Sequence, residues 1–389
     1  MKIRKLHLKN YKVFDDLELD FTDENGETLN EIVIAGVNGS GKTTVLEFIR
    51  DFLAVKKIDI SNFEVELELN EGDNKRFHYT ESYRKHYTWI ESNDEGKILK
   101  INPNMGGMSY SLGQLPPLKE YVDELPIIIY RHSNDRFSND EVSNIKEISF
   151  YSHKNEMKDI ILKPIKNKVF ENKEQPPKKV IEDEIKSINK VFKDIKLNSK
   201  FIDINDSELI FESLNGKKIH FEDLSNGEKF VYFMGFMLKR KNINNSMIII
   251  DEPEDSLHPT WQQQILKFYS NIGENNQVIL ATHSPHIIGS AKPESVFLLK
   301  PENGKIKAYH PRYAKGHSVN YVLSEIMETN PRENRIGKMV DEYLRLIERG
   351  MHETERGKEL WQELEKLDPN SNERGRIRLV LRRLEAIGK

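Results

Sequence analysis

Apolar and polar residues alternate over the first twenty positions, a pattern that predicts strands. Lys2–Lys9 carries Ile3, Leu6 and Leu8, with Lys5 interrupting the period, and Asp15–Phe21 places Leu17, Leu19 and Phe21 on one face. Glu31–Ala35 is instead a continuous apolar run that ends in glycines, as a strand buried on both faces does. Beyond the glycines the period changes to that of a helix: Val45, Leu46, Ile49, Phe52 and Leu53 recur along Thr43–Leu53. Phe63–Leu69 alternates strictly. Lys75–Thr80, Lys85–Ile90 and Lys97–Ile101 continue as short strands, with turns at Gly72–Asn74 and Asn93–Gly96. Residues 60–102 therefore predict antiparallel hairpins, followed by a loop over Asn102–Pro117 and a buried strand at Pro126–Tyr130. From about 136 to 200 the Lys/Glu/Asn/Ile-rich pattern predicts helices broken at Gln175–Pro177, an insertion or lid. Without sustained heptads it is no long coiled coil.

The second half repeats the strand–helix alternation. A hairpin is expected over Ser207–Glu212 and Lys217–Phe221, around Asn215-Gly216. A helix at Lys229–Lys239, a strand at Met247–Ile250, a helix at Thr260–Tyr269 and a strand at Val278–Ala281 follow. Two more strands are expected near Val296–Leu299 and Lys305–Tyr309. From about 318 onward the pattern is helical to the end of the chain.

Composition narrows the class. At 389 residues, one large domain with an insertion or two domains are both allowed. With 31% charged residues and a mean hydropathy of −0.65, a soluble globular protein is expected. The longest apolar run, Val231–Leu238, has eight residues, far short of the ~18 of a membrane span. Met1–Asn10 lacks the apolar stretch of a secretory signal. With no cysteine there is no disulfide, thiolate metal site or cysteine nucleophile, and the cytoplasm is the expected compartment. A net charge of −4 excludes a globally basic nucleic-acid binder but not a local basic patch.

Four segments carry candidate chemistry. Gly36-Val-Asn-Gly-Ser-Gly-Lys-Thr-Thr44 fits G-x-x-x-x-G-K-[ST] between a buried strand and a helix. Its glycines let the chain wrap a phosphate, and the backbone N–H groups of Asn38, Gly39, Ser40, Gly41 and Lys42 can face the anion at a helix N-terminus. Lys42 supplies charge to the β- and γ-phosphates, and the Thr43 hydroxyl, with Thr44 beside it, is placed to ligate Mg²⁺. Met247–Glu252 is a buried strand ending in two carboxylates, which in isolation could equally cap a helix. Downstream of a phosphate loop, Asp251 reads as the Mg²⁺ partner and Glu252 as the group that polarises the attacking water. Val278–His283 is a third buried strand, and His283 at its end could reach a γ-phosphate where parallel strand ends converge. Leu224-Ser-Asn-Gly-Glu-Lys229 allows two readings. Ser225 and Glu228 have capping-box spacing, while Gly227 would let a phosphate approach the helix N-terminus.

In this order the motifs resemble those of ABC-type ATPases of the SMC and OLD (overcoming lysogenization defect) group. Gly36–Thr44 matches Walker A, Leu224–Lys229 the ABC signature, Ile248–Glu252 Walker B, Asp255–His258 the D-loop and His283 the H-switch. Asp251–Pro259 and Ala281–Pro285 look like stand-alone prokaryotic ATPases of this group. Asn10–Phe14 is similar to their first hairpin, which lies near the adenine and puts Lys12 among the candidate ATP contacts. The match covers roughly 1–130 and 205–310. It implies an α/β fold: a P-loop ABC-type ATPase head, a mixed sheet with an antiparallel β-subdomain, plus a helical insertion and a helical C-terminal tail. The expected division is 1–130 and 205–315 for the two parts of the head, 131–204 for the insertion and 316–389 for the tail. ATP and Mg²⁺ are the implied ligands, and a head-to-tail homodimer or higher oligomer the implied assembly, with Ser225 and Gly227 meeting the partner's γ-phosphate and Ser256 and Leu257 alongside.

The chain also departs from the pattern. Only 182 residues separate Lys42 from Leu224, too few for long SMC arms, and Arg131-His-Ser-Asn134 stands where a Q-loop glutamine is expected. No Toprim or HNH pattern is evident, so nuclease activity is not expected in this chain. The tail resembles ATPases of the Septu and retron-associated anti-phage systems, which work with a separate HNH nuclease. That implies a partner effector. An SMC-like repair or recombination ATPase that binds DNA directly is the alternative. A transporter subunit fits worst, because the coupling glutamine is missing and a long helical tail is present. In the tail, Tyr321–Leu323, Met339, Tyr343-Leu344, Leu360-Trp361, Leu364 and Leu367 recur at helical spacing, and Arg374, Arg376, Arg378, Arg382 and Arg383 form a basic cluster. A cap on the head, a docking platform and a nucleic-acid contact all fit that pattern.

Overall fold

The computed structural model describes residues 1–53, 62–68, 90–92, 98–101, 127–131, 145–148, 157–240, 243–327, 334–367 and 372–386. The strand expected at Lys75–Thr80, most of Lys85–Ile90, the turns Gly72–Asn74 and Asn93–Gly96, the loop Asn102–Pro117 and the residues 132–134 lie outside them. The chain divides into two compact units, Met1–Val322 and Leu323–Lys389.

The first unit is organised by two sheets with a helix between them. Strands β1 (Lys2–Tyr11), β2 (Phe14–Asp20), β4 (Asn62–Glu68), β5 (Ile90–Ser92) and β6 (Ile98–Ile101) form an antiparallel sheet in the order β2-β1-β4-β6-β5. The broken alternation of β1 has a structural cause. Its register against β4 shifts between Ile3 and Lys5, and this irregularity leaves Ile3, Leu6 and Leu8 all buried. The central sheet has seven strands: β3 (Glu31–Gly36), β7 (Ile127–Arg131), β8 (Ile145–Ile148), β12 (Met247–Asp251), β13 (Gln277–Thr282), β14 (Val296–Glu302) and β15 (Lys305–Tyr309). Their order is β15-β14-β3-β13-β12-β7-β8, parallel except for the β14–β15 pair. Helix α1 (Lys42–Leu53) buries Val45, Phe48, Ile49 and Phe52 in one core with Leu6, Leu17 and Val65 of the first sheet and Ile34, Ile249 and Ile279 of the second. The opposite sides of the central strands, such as Val33, Ile248 and Leu280, are also fully buried, which is why these runs are continuous rather than alternating.

A second packing centre is aromatic. Helix α4 (Asn226–Arg240) is apolar nearly all round its middle because it is buried all round. Tyr232 and Phe236 meet Phe192, while Phe211 stacks edge-on to Tyr232 and lies beside Phe201. A side chain at Gly235 would come 2.4 Å from the Phe192 ring, so only glycine fits. These rings belong to a three-stranded sheet, β9 (Ser199–Asn205), β10 (Glu208–Ser213) and β11 (Lys218–His220), and to the helices around it.

That arrangement corrects the reading of 131–204 as helical. Helices α2 (Met157–Glu171) and α3 (Pro177–Asn189) are present and separated at Gln175–Pro177, but the stretch also holds β8, paired in parallel with β7, and β9, which begins at Ser199. Both strands are short segments within a Lys/Glu/Ile-rich composition, where local pattern does not distinguish the two periods. The second unit contains helices α6 (Asn334–Glu348), α7 (Glu355–Leu364) and α8 (Asn372–Ala386), with helix α5 of the first unit (Pro259–Ser270) preceding them in sequence. Val340, Tyr343, Ile347, Leu360, Leu364 and Ile377 form its own core.

Candidate functional site

Parallel pairing brings three strand ends to one edge of the central sheet. Ala35 of β3 lies opposite Thr282 of β13, and Ala281 opposite Asp251 of β12. The glycine loop, the carboxylates and His283 therefore leave the sheet side by side, at the carboxyl ends where α/β sheets bind ligands.

The loop is shaped by conformations open to glycine. Gly39 (φ +83°) and Gly41 (φ +92°) are left-handed, and a Cβ on Gly41 would lie 2.4 Å from the Phe14 ring. The two-residue turn Lys12-Val13 between β1 and β2 thus lies against the loop. Lys12 (φ +50°) is turned to Glu47 of α1, with Nζ 2.7 Å from Oε2 and 5.5 Å from the Tyr11 ring centre. Burial lowers its pKa, but the Glu47 hydrogen bond and neighbouring charges outweigh that and leave it raised. Of the loop amides, that of Ser40 donates to the Val37 carbonyl at 3.1 Å. Asn38 and Gly39 are exposed, Thr44 is half-buried, and the buried Ser40 Oγ has no hydrogen-bond partner among the described residues. Lys42, only 5% exposed, curls back over the loop and donates from Nζ to the Gly36 carbonyl at 3.1 Å.

The carboxylates stand directly beside it. Thr43 Oγ1 donates to Asp251 Oδ2 at 2.8 Å, and Lys42 Nζ is 3.7 Å from Glu252 Oε1. Glu252 Oε2 is 2.6 Å from His283 Nδ1. Burial pushes the Glu252 carboxyl up to about 8, with the negative Glu254 adding to the rise and Lys42 opposing it. A base with that affinity for protons matches the task of accepting one from water near neutral pH. The loop also meets the requirements of a Mg²⁺–nucleotide. A hydroxyl and a carboxylate already share one point through Thr43 and Asp251, beside a glycine cradle and a lysine that has only carbonyls and Glu252 for partners in the contacts above.

Sequence reasoning passed over Glu254, which binds the end of β13: its Oε1 accepts from Thr282 Oγ1 at 2.5 Å and from the His283 amide at 2.9 Å. Its only signal was a third acid in the Asp251–Asp255 run, which local pattern does not separate from a solvated charge.

Ser225 realises the capping reading. Its Oγ accepts from the Glu228 amide at 3.2 Å and donates to Glu228 Oε2 at 2.9 Å, while Ser199 Oγ donates to Oε1 at 2.7 Å. Gly227 is needed for packing within the same chain: a Cβ there would lie 2.4 Å from the Ser256 carbonyl oxygen. The turn before α4 is therefore set against the turn after β12, where Ser256 is itself left-handed (φ +62°) and Leu257 is buried.

The parallel order of the central sheet, the strand–glycine loop–helix crossover and the antiparallel sheet beside it give an α/β head of the P-loop type. The comparisons with known proteins agree with that class. A family model described as "AAA domain, putative AbiEii toxin, Type IV TA system" matches residues 116–289, and one described as "AAA domain" matches 1–60. The chain is 25% identical to the retron Ec83 probable ATPase of Escherichia coli, over 89% of this chain and 80% of that protein. It is 33% identical to Septu protein PtuA of Bacillus thuringiensis over 22% of this chain, and 31% identical to the DNA replication and repair protein RecF of Desulfitobacterium hafniense over 33%. The latter two matches span only 24% and 32% of those proteins. The resemblance to RecF-like ATPases and to those of defence systems thus stands on relatives as well as on motifs. Among the described residues no helix is long and apolar enough to cross a membrane.

Proposed function

We propose that the chain binds ATP with Mg²⁺ at this edge, hydrolyses it, and uses the nucleotide to pair head to tail with a second copy and so control a partner effector in anti-phage defence. The observation that carries the proposal is the unbroken run of contacts Lys42–Glu252–His283 beside Thr43–Asp251. Lys42 and the loop amides hold the phosphates. Thr43 and Asp251 would hold Mg²⁺, which when bound neutralises phosphate charge and favours in-line attack. Glu252 accepts the proton of the attacking water, and His283 Nδ1 at 2.6 Å orients the carboxylate that receives it. Ser225 and Gly227, with Ser256 and Leu257 beside them, would face the γ-phosphate bound by the second copy, and in a two-fold pair both sites close together.

The likeness to retron and Septu ATPases supports a defence role. The family resemblance implies an HNH nuclease as the effector, with residues 316–389 as its docking region. The likeness to RecF favours a second reading, an ATPase that binds DNA directly. One set of measurements separates these. Lys42→Ala abolishes ATP binding, whereas Glu252→Gln binds ATP, does not turn it over, and doubles in mass by light scattering when ATP is added. Wild-type turnover in Glu252→Gln refutes the role of the base, and a monomer with and without ATP refutes pairing. Stimulation of turnover by DNA, with no nuclease co-purifying from the native source, moves the function to the second reading.

A further inference from the structure

We propose that Glu254 is a positioning residue: its buried carboxylate fixes the end of β13 and thereby sets the His283 imidazole against Glu252. The inference rests on the hydrolytic reading above. A carboxylate whose side chain is 5% exposed is expensive to bury without compensation; its Oε2 has no hydrogen-bond partner among the described residues, and the donors to its Oε1 come from the end of β13. Thr282 Oγ1 and the His283 amide both donate to Oε1, at 2.5 and 2.9 Å. The pairing of β13 with β3 ends at Thr282, so His283 lies just past the ladder and takes its backbone anchor from Glu254. Its ring is half exposed and lies 3.5 Å from Glu254 Oε1 and 2.6 Å from Glu252 Oε2. Lateral packing does little to fix so exposed a ring, and the restraint has to come from its backbone.

The anchor is braced in turn. The Ser284 amide donates to Thr282 Oγ1 at 2.9 Å, and Ser284 Oγ donates to Gln262 Oε1 at 2.7 Å. Gln262 Nε2 donates to the Leu257 carbonyl at 2.9 Å. The turn after β12, helix α5 and the end of β13 are thus joined through a chain of side-chain hydrogen bonds, an arrangement that holds geometry more firmly than isolated pairs do. Glu254 could instead act by charge alone, since it stands beside Glu252. Hydrogen-bond geometry and charge make opposite predictions for the isosteric amide.

The test uses the full chain. In Glu254→Ala the His283 amide loses its acceptor, and hydrogen exchange of the segment 281–286, read by mass spectrometry without nucleotide, speeds up by about tenfold or more. The kcat for ATP falls by about tenfold with KM held within about twofold. On a His283→Ala background the same substitution costs no more than about twofold further, because its effect runs through the histidine. Glu254→Gln keeps an oxygen acceptor without the charge, so it leaves the His283 amide protected and costs kcat much less than Glu254→Ala does. Should Glu254→Ala not fold, Glu254→Leu, which removes the acceptor of the His283 amide while keeping most of the side-chain volume, carries the same exchange comparison. Unchanged exchange, a full additional loss in the His283→Ala background, or a Gln variant as damaged as the Ala variant each overturn the proposal. A wild-type chain that turned over no ATP would refute the function above, while exchange in the Ala and Gln variants would still decide whether Glu254 holds His283.

Discussion

Gln277, the first residue of β13, joins the two sheets that enclose α1. It is fully buried; its Oε1 accepts the Ile3 amide at 2.8 Å, and its Nε2 donates to the Ile3 carbonyl at 2.8 Å and the Leu29 carbonyl at 3.0 Å. Ile3 sits where the β1 register shifts, so its backbone groups meet a side chain where the ladder is irregular. Gln277→Leu keeps the volume and removes all three partners. The Ile3 amide and carbonyl then stay buried, since Ile3 is 1% exposed, and each unsatisfied group costs about 1–3 kcal/mol. The Leu29 carbonyl is only partly buried and adds less. A loss of about 3–4 kcal/mol follows, partly offset by the better burial of leucine.

Urea unfolding followed by tryptophan fluorescence and far-UV circular dichroism measures this. With an m-value near the top of the usual ~1–3 kcal/mol/M range, the midpoint of the first transition falls by about 1 M. Gln277→Glu is worse at pH 8, because a carboxylate can accept from Ile3 but faces two carbonyls it cannot donate to. The gap narrows at acid pH, where the protonated form regains one donor. A Leu variant within about 0.5 kcal/mol of wild type, the usual size of a surface change, would show that the bridge does not tie the sheets together.

Gly41→Ala places a Cβ 2.4 Å from the ring of the buried Phe14 at a left-handed φ, so nucleotide affinity should fall by about tenfold or more while circular dichroism stays native; a titration with a fluorescent ATP analogue reads it. In nucleotide- and Mg²⁺-free protein the raised carboxyl of Glu252 binds a proton more tightly folded than unfolded, so its contribution is present below the unfolded value of 4.5 and is lost as pH rises through about 8. Glu252→Gln should therefore raise the thermal midpoint at pH 8.5, with the difference shrinking toward pH 4.5; an equal gain at both would refute the assignment. Leu360→Ala, at a position 2% exposed in the core of the second unit, should destabilise that unit by about 2–4 kcal/mol, read as faster exchange in the peptides of 334–386.

Which parts of this site could be read from sequence follows from how local their constraints are. Gly36–Thr44 was legible because phosphate wrapping, a lysine and a hydroxyl must recur at set offsets in one short segment. The strands that carry Asp251 and lead into His283 were legible because buried parallel strands announce themselves as continuous apolar runs, and the pairing brings their carboxyl ends to one edge of the sheet. Ser225 was legible as a cap, and the structure forms that cap. Gly227 was not, because what excludes a side chain there is the Ser256 carbonyl, 29 positions away in sequence. Gln277 reads as an ordinary polar residue before a strand, and its partners are separated from it by more than two hundred positions. The strands β8 and β9 fail for another reason. Each is short, and its neighbours' composition favours helix, so tertiary pairing decides what local propensity does not.

The turn after β12 shows how these long-range constraints produce a functional geometry. A strand that continued straight would carry Glu252 along the line of Asp251, with its side chain on the opposite face. Glu252 instead takes φ +51°, a left-handed conformation that costs a non-glycine residue roughly 1–2 kcal/mol. The turn persists because its surroundings over-determine it. The Glu252 amide donates to the Ala281 carbonyl at 2.8 Å, and the Asp255 amide returns to the Glu252 carbonyl at 3.3 Å. Ser256 adds a second left-handed residue, held where its carbonyl packs on Gly227. Both unfavourable residues fall between the strand that positions Asp251 and the helix that carries Gln262. Relaxing either would move the Glu252 carboxylate away from Lys42 and His283, the two contacts on which its proposed chemistry depends. Glycine at 252 would remove the strain together with the carboxylate. The sequence keeps an acid in a glycine-like conformation, and the hydrogen bonds of Ala281, Glu254 and Gln262 are what hold it there.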